Sequence, residues 1–240
     1  MKTLAILSRK GGTGKTTLAL HLAVAARSSD RSVLLADLDR QGSAVEWRRQ
    51  RGRNDPAVEA VKPGALFTRQ QDAAREGLDL LIIDTPPSTE DEVADVVRCA
   101  DLCLIVARPN FLDLRAVEAS AELAARMRRP AIFVLNQAPH RQDSIEAPVL
   151  MEAVKAVRGF GFPVAPIGLR SRVAYQNSIA AGAVAGETDP TSAAAMEMAA
   201  LWRHLSGQLW AEAPRPAPAI SAQTDRFSAY AATPPSLATH

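Results

Sequence analysis

Ser8-Arg9-Lys10-Gly11-Gly12-Thr13-Gly14-Lys15-Thr16-Thr17 decides the fold of this 240-residue chain. Ahead of it, Leu4-Ala5-Ile6-Leu7 is an apolar run of the length of a buried strand, and residues 18–26 behind it read as an apolar helix. A glycine-rich turn between a strand and a helix N-terminus aims several backbone N–H groups at one point, and the helix dipole adds partial positive charge there. Together they suit the polyphosphate of a nucleotide. Gly11, Gly12, Thr13, Gly14, Lys15, Thr16 and Thr17 form the expected nucleotide-binding set. Lys15 reaches the β- and γ-phosphates, and the Thr16 hydroxyl is placed for Mg²⁺. Two departures from the common loop stand out. Arg9 occupies the position six residues before Lys15 where glycine is usual, and a second lysine, Lys10, precedes Lys15 by five.

Working outward, short aliphatic runs alternate with helical patterns. Strands are expected at 3–7, 33–37, 57–61, 78–84, 102–107, 131–136 and 164–168, most of them apolar throughout, as in parallel strands covered on both faces. Helical patterns at 15–29, 43–51, 66–76, 90–98, 112–127, 145–157, 173–181 and 191–209 fill the gaps. This alternation predicts an α/β fold, a doubly wound, mostly parallel sheet flanked by helices, with ligands beyond the C-terminal strand ends. Residues 1–210 read as one domain, and 211–240, with Pro214, Pro216, Pro218, Pro234 and Pro235 among Ala, Ser and Thr, as a disordered tail.

Composition narrows the function classes. A hydrophobic content of 47% and a charged content of 22% place the chain among ordinary globular proteins. A net charge of +2 means that nucleic-acid binding would have to come from local basic clusters. Cys99 and Cys103 lack disulfide-framework or metal-ligand spacing, which suits two apolar thiols in a reducing cytoplasm. Met1 sits almost at the first strand, leaving no room for a leader, and no apolar run approaches a membrane span.

Two further stretches carry acids to strand ends. Val33-Leu34-Leu35-Ala36-Asp37-Leu38-Asp39-Arg40-Gln41-Gly42-Ser43 delivers Asp37 and Asp39 on the same side of an extended chain. Near a bound Mg²⁺–phosphate, one of them can position water and the other can brace the metal shell. Leu80-Leu81-Ile82-Ile83-Asp84-Thr85-Pro86-Pro87 is a buried strand delivering one carboxylate, the form expected of a Mg²⁺-holding acid.

Lys10-Gly11-Gly12-Thr13-Gly14-Lys15-Thr16-Thr17, Asp37-Leu38-Asp39-Arg40-Gln41-Gly42-Ser43 and Ile83-Asp84-Thr85-Pro86-Pro87 resemble the deviant Walker A, A′ and Walker B motifs of ParA/MinD-type partitioning ATPases. The similarity continues in Val134-Leu135-Asn136, in Arg170-Ser171-Arg172-Val173-Ala174-Tyr175, and in Gly182 and Glu187, so it spans positions 1 to 209. The resemblance implies an ATP- and Mg²⁺-dependent sandwich homodimer with weak intrinsic ATPase activity. Lys10 would cross to the partner's nucleotide, as an arginine finger does in trans. Asp39 would position water, Asp84 with Thr16 would hold Mg²⁺ with Asp39 nearby, and Asn136 would contact adenine. The family usually has proline where this chain has Arg40.

ParA-like members bind DNA without sequence preference, whereas MinD-like members use a C-terminal amphipathic basic helix on membrane. The proline-broken tail points to the DNA-binding, nucleoid-associated, cytoplasmic kind, with Arg170 and Arg172 as the DNA contacts. Arg126, Arg128 and Arg129 are further basic candidates, and Arg48, Arg49, Arg51 and Arg53 read mainly as an exposed helix face. The short stretch before the phosphate loop leads to the expectation of a form without a helix-turn-helix domain. The expected function is a short ParA-like ATPase that positions a plasmid, chromosome or protein assembly, with a cargo-bound ParB-like or adaptor protein stimulating hydrolysis. The alternatives are a metal-cluster-assembly or amidoligase-type ATPase on the same fold, and a non-catalytic nucleotide-switched scaffold.

Overall fold

The computed structural model describes residues 1–86, 90–141, 143 and 145–211. The tail expected from 211 onward therefore falls, beyond its first residue, outside the described residues, as does Pro87. Six strands form one sheet: β1 (Lys2–Leu7), β2 (Val33–Asp37), β3 (Ala57–Ala60), β4 (Leu80–Asp84), β5 (Leu102–Ala107) and β6 (Ala131–Leu135). Their order is β3-β2-β4-β1-β5-β6, and every neighbouring pair is parallel. The helices are α1 (Lys15–Arg27), α2 (Ser43–Arg51), α3 (Leu66–Arg75), α4 (Glu90–Cys99), α5 (Phe111–Arg126), α6 (Pro148–Arg158), α7 (Val173–Ala180), α8 (Ala185–Thr188) and α9 (Ala193–Leu209). This is the doubly wound α/β sheet that the strand–helix alternation predicts.

Strand periodicity divides the interior in two. Leu4, Ile6, Leu35, Leu80 and Ile82 point to one face, where α1, α2, α7, α8 and α9 pack. Ala5, Leu7, Leu34, Ala36, Leu81 and Ile83 point to the other, against α3, α4, α5 and α6. Successive side chains of a strand face opposite ways, so a continuous apolar run feeds both cores at once. β4, β5 and β6 are buried along their whole length, and β1 along all but its first residue.

The seventh expected strand, 164–168, is not one. The chain does run beside β6: Ala165 N–H donates to the Phe133 carbonyl at 2.7 Å and Leu169 N–H to that of Leu135 at 2.9 Å. A regular parallel ladder would give the Leu135 carbonyl to Ile167. Leu169 takes that place instead, so two extra residues bow outward between the two bonds, and only isolated bridges remain, Phe133 with Val164 and Ala138 with Arg170. At the opposite rim β3 is four residues long, and its exposed Glu59 is clasped by Arg69 at 2.7 and 3.1 Å.

All six strands point the same way, so the loops after β1, β2, β4 and β6 meet at one edge. Register fixes the meeting point: Asp84 at the end of β4 lies between Ile6 of β1 and Asp37 of β2. Behind this edge α2 packs on the turn after α7. Trp47 Nε1 donates to the Ala183 carbonyl at 3.1 Å, and Arg51 donates to the Gly182 carbonyl at 3.1 Å while pairing with Glu187. Gly182 is held at φ +67°, and a Cβ there would sit 2.8 Å from the Arg51 backbone nitrogen. Gly182→Ala therefore combines a left-handed backbone with a collision against α2 that no side-chain rotation relieves. A loss of about 2–3 kcal/mol, or roughly 5–10 °C in Tm, is expected by thermal denaturation.

Candidate functional site

The glycine loop leaves β1 and enters α1 through Gly14, at φ +89°. Gly12 is also left-handed, at φ +74°. These two residues turn the peptide planes so that the N–H groups at the start of α1 face one point, a conformation that costs little only where Cβ is missing. Lys15 folds back over the loop. It is 7% exposed, its ammonium reaches the Lys10 carbonyl at 3.4 Å, and among the described residues it has no carboxylate within ion-pair distance. Burial pulls the Lys15 pKa down, against the charges of Asp84 and Asp39.

Across from Lys15 stands Asp84, fully buried, with neither carboxylate oxygen hydrogen-bonded among the described residues. Burial pushes its pKa up to about 7. The Thr16 hydroxyl opposes the rise from nearby without forming a well-made hydrogen bond, Lys15 also opposes it, and Asp37 and Asp39 add to it. A buried carboxylate without donors is costly on its own and is satisfied by a cation. The oxygen donors here, Asp84 and the Thr16 hydroxyl, suit Mg²⁺. No group of three or more His, Cys, Asp or Glu side chains suited to a metal occurs among the described residues. Mg²⁺ is usually held by one or two protein oxygens plus phosphates and water.

Asp37 and Asp39 separate in role. Asp37 accepts N–H bonds from Asp39 at 3.0 Å, Ala44 at 3.0 Å and Val45 at 3.2 Å, so it ties the turn and caps α2, whose own N-cap is Gly42 at φ +63°. Asp39 lies further out, partly exposed, with one oxygen taken by the Gln41 N–H at 2.9 Å. Of the two acids, Asp39 has the more open carboxylate. Arg40 is exposed in the same turn.

Lys10 lies within its own subunit. Its ammonium is 2.7 Å from Asp113 in the first turn of α5, a carboxylate that Arg108 and Asn110 also hold. Burial raises the Asp113 pKa, but the bonds from Arg108, Lys10 and Asn110 outweigh it and hold the carboxyl below the usual range. Asn136, at the end of β6, donates from its amide to the Thr13 carbonyl at 2.7 Å. Arg170 and Arg172 sit away from the phosphate loop, in a groove beside α6. Arg170 is buried, bonded to the Pro139 carbonyl at 2.6 Å and to both oxygens of Glu146 at 2.6 and 2.8 Å. Arg172 bonds Glu197 at 2.6 and 3.1 Å, and the Tyr175 hydroxyl donates to the same carboxylate.

Three residues at this edge escape sequence reasoning. Asp113, the Lys10 partner, looks like an ordinary helix-start acid. Gln137, left-handed at φ +53°, donates to the Gly12 carbonyl at 3.0 Å. His21, on α1, is 1% exposed; its Nδ1 meets the Thr17 carbonyl at 2.8 Å and its Nε2 accepts from the Ala185 N–H at 3.1 Å. These bonds fix the Nδ1–H tautomer. His21 thereby struts the phosphate loop against α8, with Tyr175 edge-on at 5.1 Å.

Residues 4–188 match the family described as the CobQ/CobB/MinD/ParA nucleotide binding domain. Among curated proteins, the maintenance of carboxysome distribution protein A of Gloeobacter kilaueensis is 31% identical over 184 residues, covering 75% of this chain and 82% of that protein. Its namesake in Halothiobacillus neapolitanus is 30% identical over 193 residues, covering 75% and 84%. Among solved structures, apo McdA from Cyanthece superposes with a TM-score of 0.71 over 85% of this chain and 99% of that one. At 16% identity it shares the fold.

The His21 strut has a pH signature. Burial drives its imidazole from the ordinary 6.5 to about 4. Between those values the unfolded chain binds a proton there that the folded chain does not, so stability is lost as pH falls through this window. His21 should account for about 2 kcal/mol of the loss between pH 7 and pH 5. Urea unfolding of wild type and His21→Gln at both pH values measures it: the variant's loss should be smaller by that amount.

Proposed function

This chain belongs to the CobQ/CobB/MinD/ParA nucleotide-binding family, and from that premise we propose that it is an ATP-driven switch that positions a cargo over DNA. Family membership carries ATP hydrolysis and the general class of partitioning and positioning. The single observation behind the proposed chemistry is the pair formed by Lys15, a buried ammonium without a counter-ion, and Asp84, a buried carboxylate without a donor, both among the described residues. Each lacks a partner of opposite charge. A Mg²⁺–triphosphate brings both, negative oxygens to Lys15 and a divalent cation to Asp84 and Thr16. Bound Mg²⁺ would offset charge on the β- and γ-phosphates.

The rest is positioning by this chain's own groups. N–H groups at the start of α1 hold the phosphates, Lys15 offsets charge on the transferred phosphoryl, and Asp39, the more open of the two A′ acids, orients water. Lys10 leaves Asp113 and meets the nucleotide of a second copy in an ATP-bound homodimer. A cargo-bound adaptor accelerates turnover and resets the switch. The names of the two carboxysome-distribution relatives support a protein assembly as the cargo. For DNA, Arg170 and Arg172 would have to exchange Glu146 and Glu197 for phosphates. We place the sequence-independent contact on the rim they share with Arg158, which is exposed and has no ion-pair partner among the described residues. The domain of 1–210 is the working unit in this reading, with the remainder a tail.

The metal-cluster reading loses support from the cysteines. Cys103 lies inside the sheet with its thiol pushed up to about 12 by burial, and burial also raises the Cys99 thiol. Neither offers a ready thiolate.

Lys15→Ala should weaken Mg·ATP binding by roughly a hundredfold in calorimetric titration, the scale of losing charge-assisted contacts to phosphate. Unchanged affinity would sink the assignment. Asp39→Ala should bind ATP and accumulate as dimer while phosphate release stops. Retention on random-sequence duplex DNA should require ATP, fail with ADP, and fall in Arg158→Glu; equal retention with all nucleotides would refute the switch.

A further inference from the structure

For the N–H groups of the phosphate loop to converge on an anion, carbonyls of the same peptide planes must turn outward, where they need donors. Two neighbouring side chains on the loop after β6 supply them. Asn136 Nδ2 donates to the Thr13 carbonyl at 2.7 Å and Gln137 Nε2 to the Gly12 carbonyl at 3.0 Å. Both sides of the contact are shaped for it. Gln137 adopts φ +53°, and Gly14 leaves space that its own Cβ would fill, 2.4 Å from Asn136 Nδ2.

The loop behind these amides is itself pinned. Ala138 N–H donates to the Leu169 carbonyl at 2.9 Å and Ser171 N–H to that of Ala138 at 3.0 Å. Arg170 then clamps the Pro139 carbonyl at 2.6 Å, its guanidinium fixed by both oxygens of Glu146. A chain of contacts thus runs from the partly buried Arg170–Glu146 ion pair through residues 136–139 to the two peptide planes of the phosphate cradle.

We propose that Gln137 and Asn136 are positioning residues for the phosphate cradle and that Arg170 anchors them. This rests on the nucleotide reading above and deepens it. It reassigns two residues: Asn136, expected at the base, and Arg170, expected on DNA, both hold the backbone that meets phosphate. The energetic signature follows. A brace on the cradle acts on the phosphate chain, so its loss weakens every ligand carrying that chain by the same factor, whatever base is attached.

The test is calorimetric titration of the full chain with Mg·ATP, Mg·GTP and Mg·tripolyphosphate, alongside hydrogen exchange of the unliganded protein read by mass spectrometry. Gln137→Met keeps length and removes the donor, and Gln137 is exposed, so the core is untouched. Affinity should fall about three- to tenfold, equally for each ligand that wild type binds, and further in Gln137→Glu, whose carboxylate faces a carbonyl. Exchange should rise in residues 10–16 of Gln137→Met and leave the sheet strands unchanged, with an unaltered melting temperature. Arg170→Met should repeat the pattern; if that variant unfolds, the Gln137 pair decides alone. A loss confined to ATP would make these residues base contacts, and unchanged affinity with unchanged exchange would remove them from the site; either overturns the proposal. Failure of wild type to bind any of the three ligands would instead refute the nucleotide reading.

Discussion

A lysine ammonium kept out of water, with no carboxylate paired to it among the described residues, is the constraint around which this molecule is organised. Lys15 begins α1, the helix that follows the central strand, and it sits where the loops after β1, β2 and β4 converge. A charge so placed is costly unless an anion arrives. The acids nearby do not relieve it: Asp84 faces it at a remove and is itself short of a partner among the described residues, while Asp37 spends its oxygens on the turn before α2. Folding therefore assembles two unmet electrostatic demands of opposite sign, and a metal–polyphosphate meets both.

Holding such a pair in place requires stiffness on every side, and the two cores supply it differently. On one face α1 is buried nearly all round, braced by His21 against α8 and by α9 along its length. On the other, the start of α5 carries the Asn110–Asp113 cap that also receives Lys10. Lys10 and Lys15 are neighbours in sequence that answer to different layers of the fold, one docked on α5 and the other inside the α1 cradle.

Much of this was legible in the residues because the informative chemistry is local. A glycine loop between a strand and a helix, and acids closing apolar strands, declare themselves within about ten residues, and the sheet followed from apolar runs that feed both faces. What escaped depends on distant pairings. Gln137 meets Gly12 and His21 meets Ala185 only after the chain has folded, and neither residue type announces such a partner. The run at 164–168 looks like a strand because it is apolar; in the fold Leu169 takes the Leu135 carbonyl that Ile167 would take in a regular ladder, and only isolated bridges remain. Arg170 looked like a surface cation because sequence shows charge and not the Glu146 that neutralises it.

The two rims of the sheet are finished in different ways. Along β6, the bowed segment through Pro166 covers the outer row of backbone groups; along β3, a strand of only four residues ends under the Glu59–Arg69 clasp. Open sheets with bare margins invite lateral accretion, strand against strand, whenever copies crowd together. Blunted margins close that route to irreversible assembly and leave the loop-bearing edge as the open one.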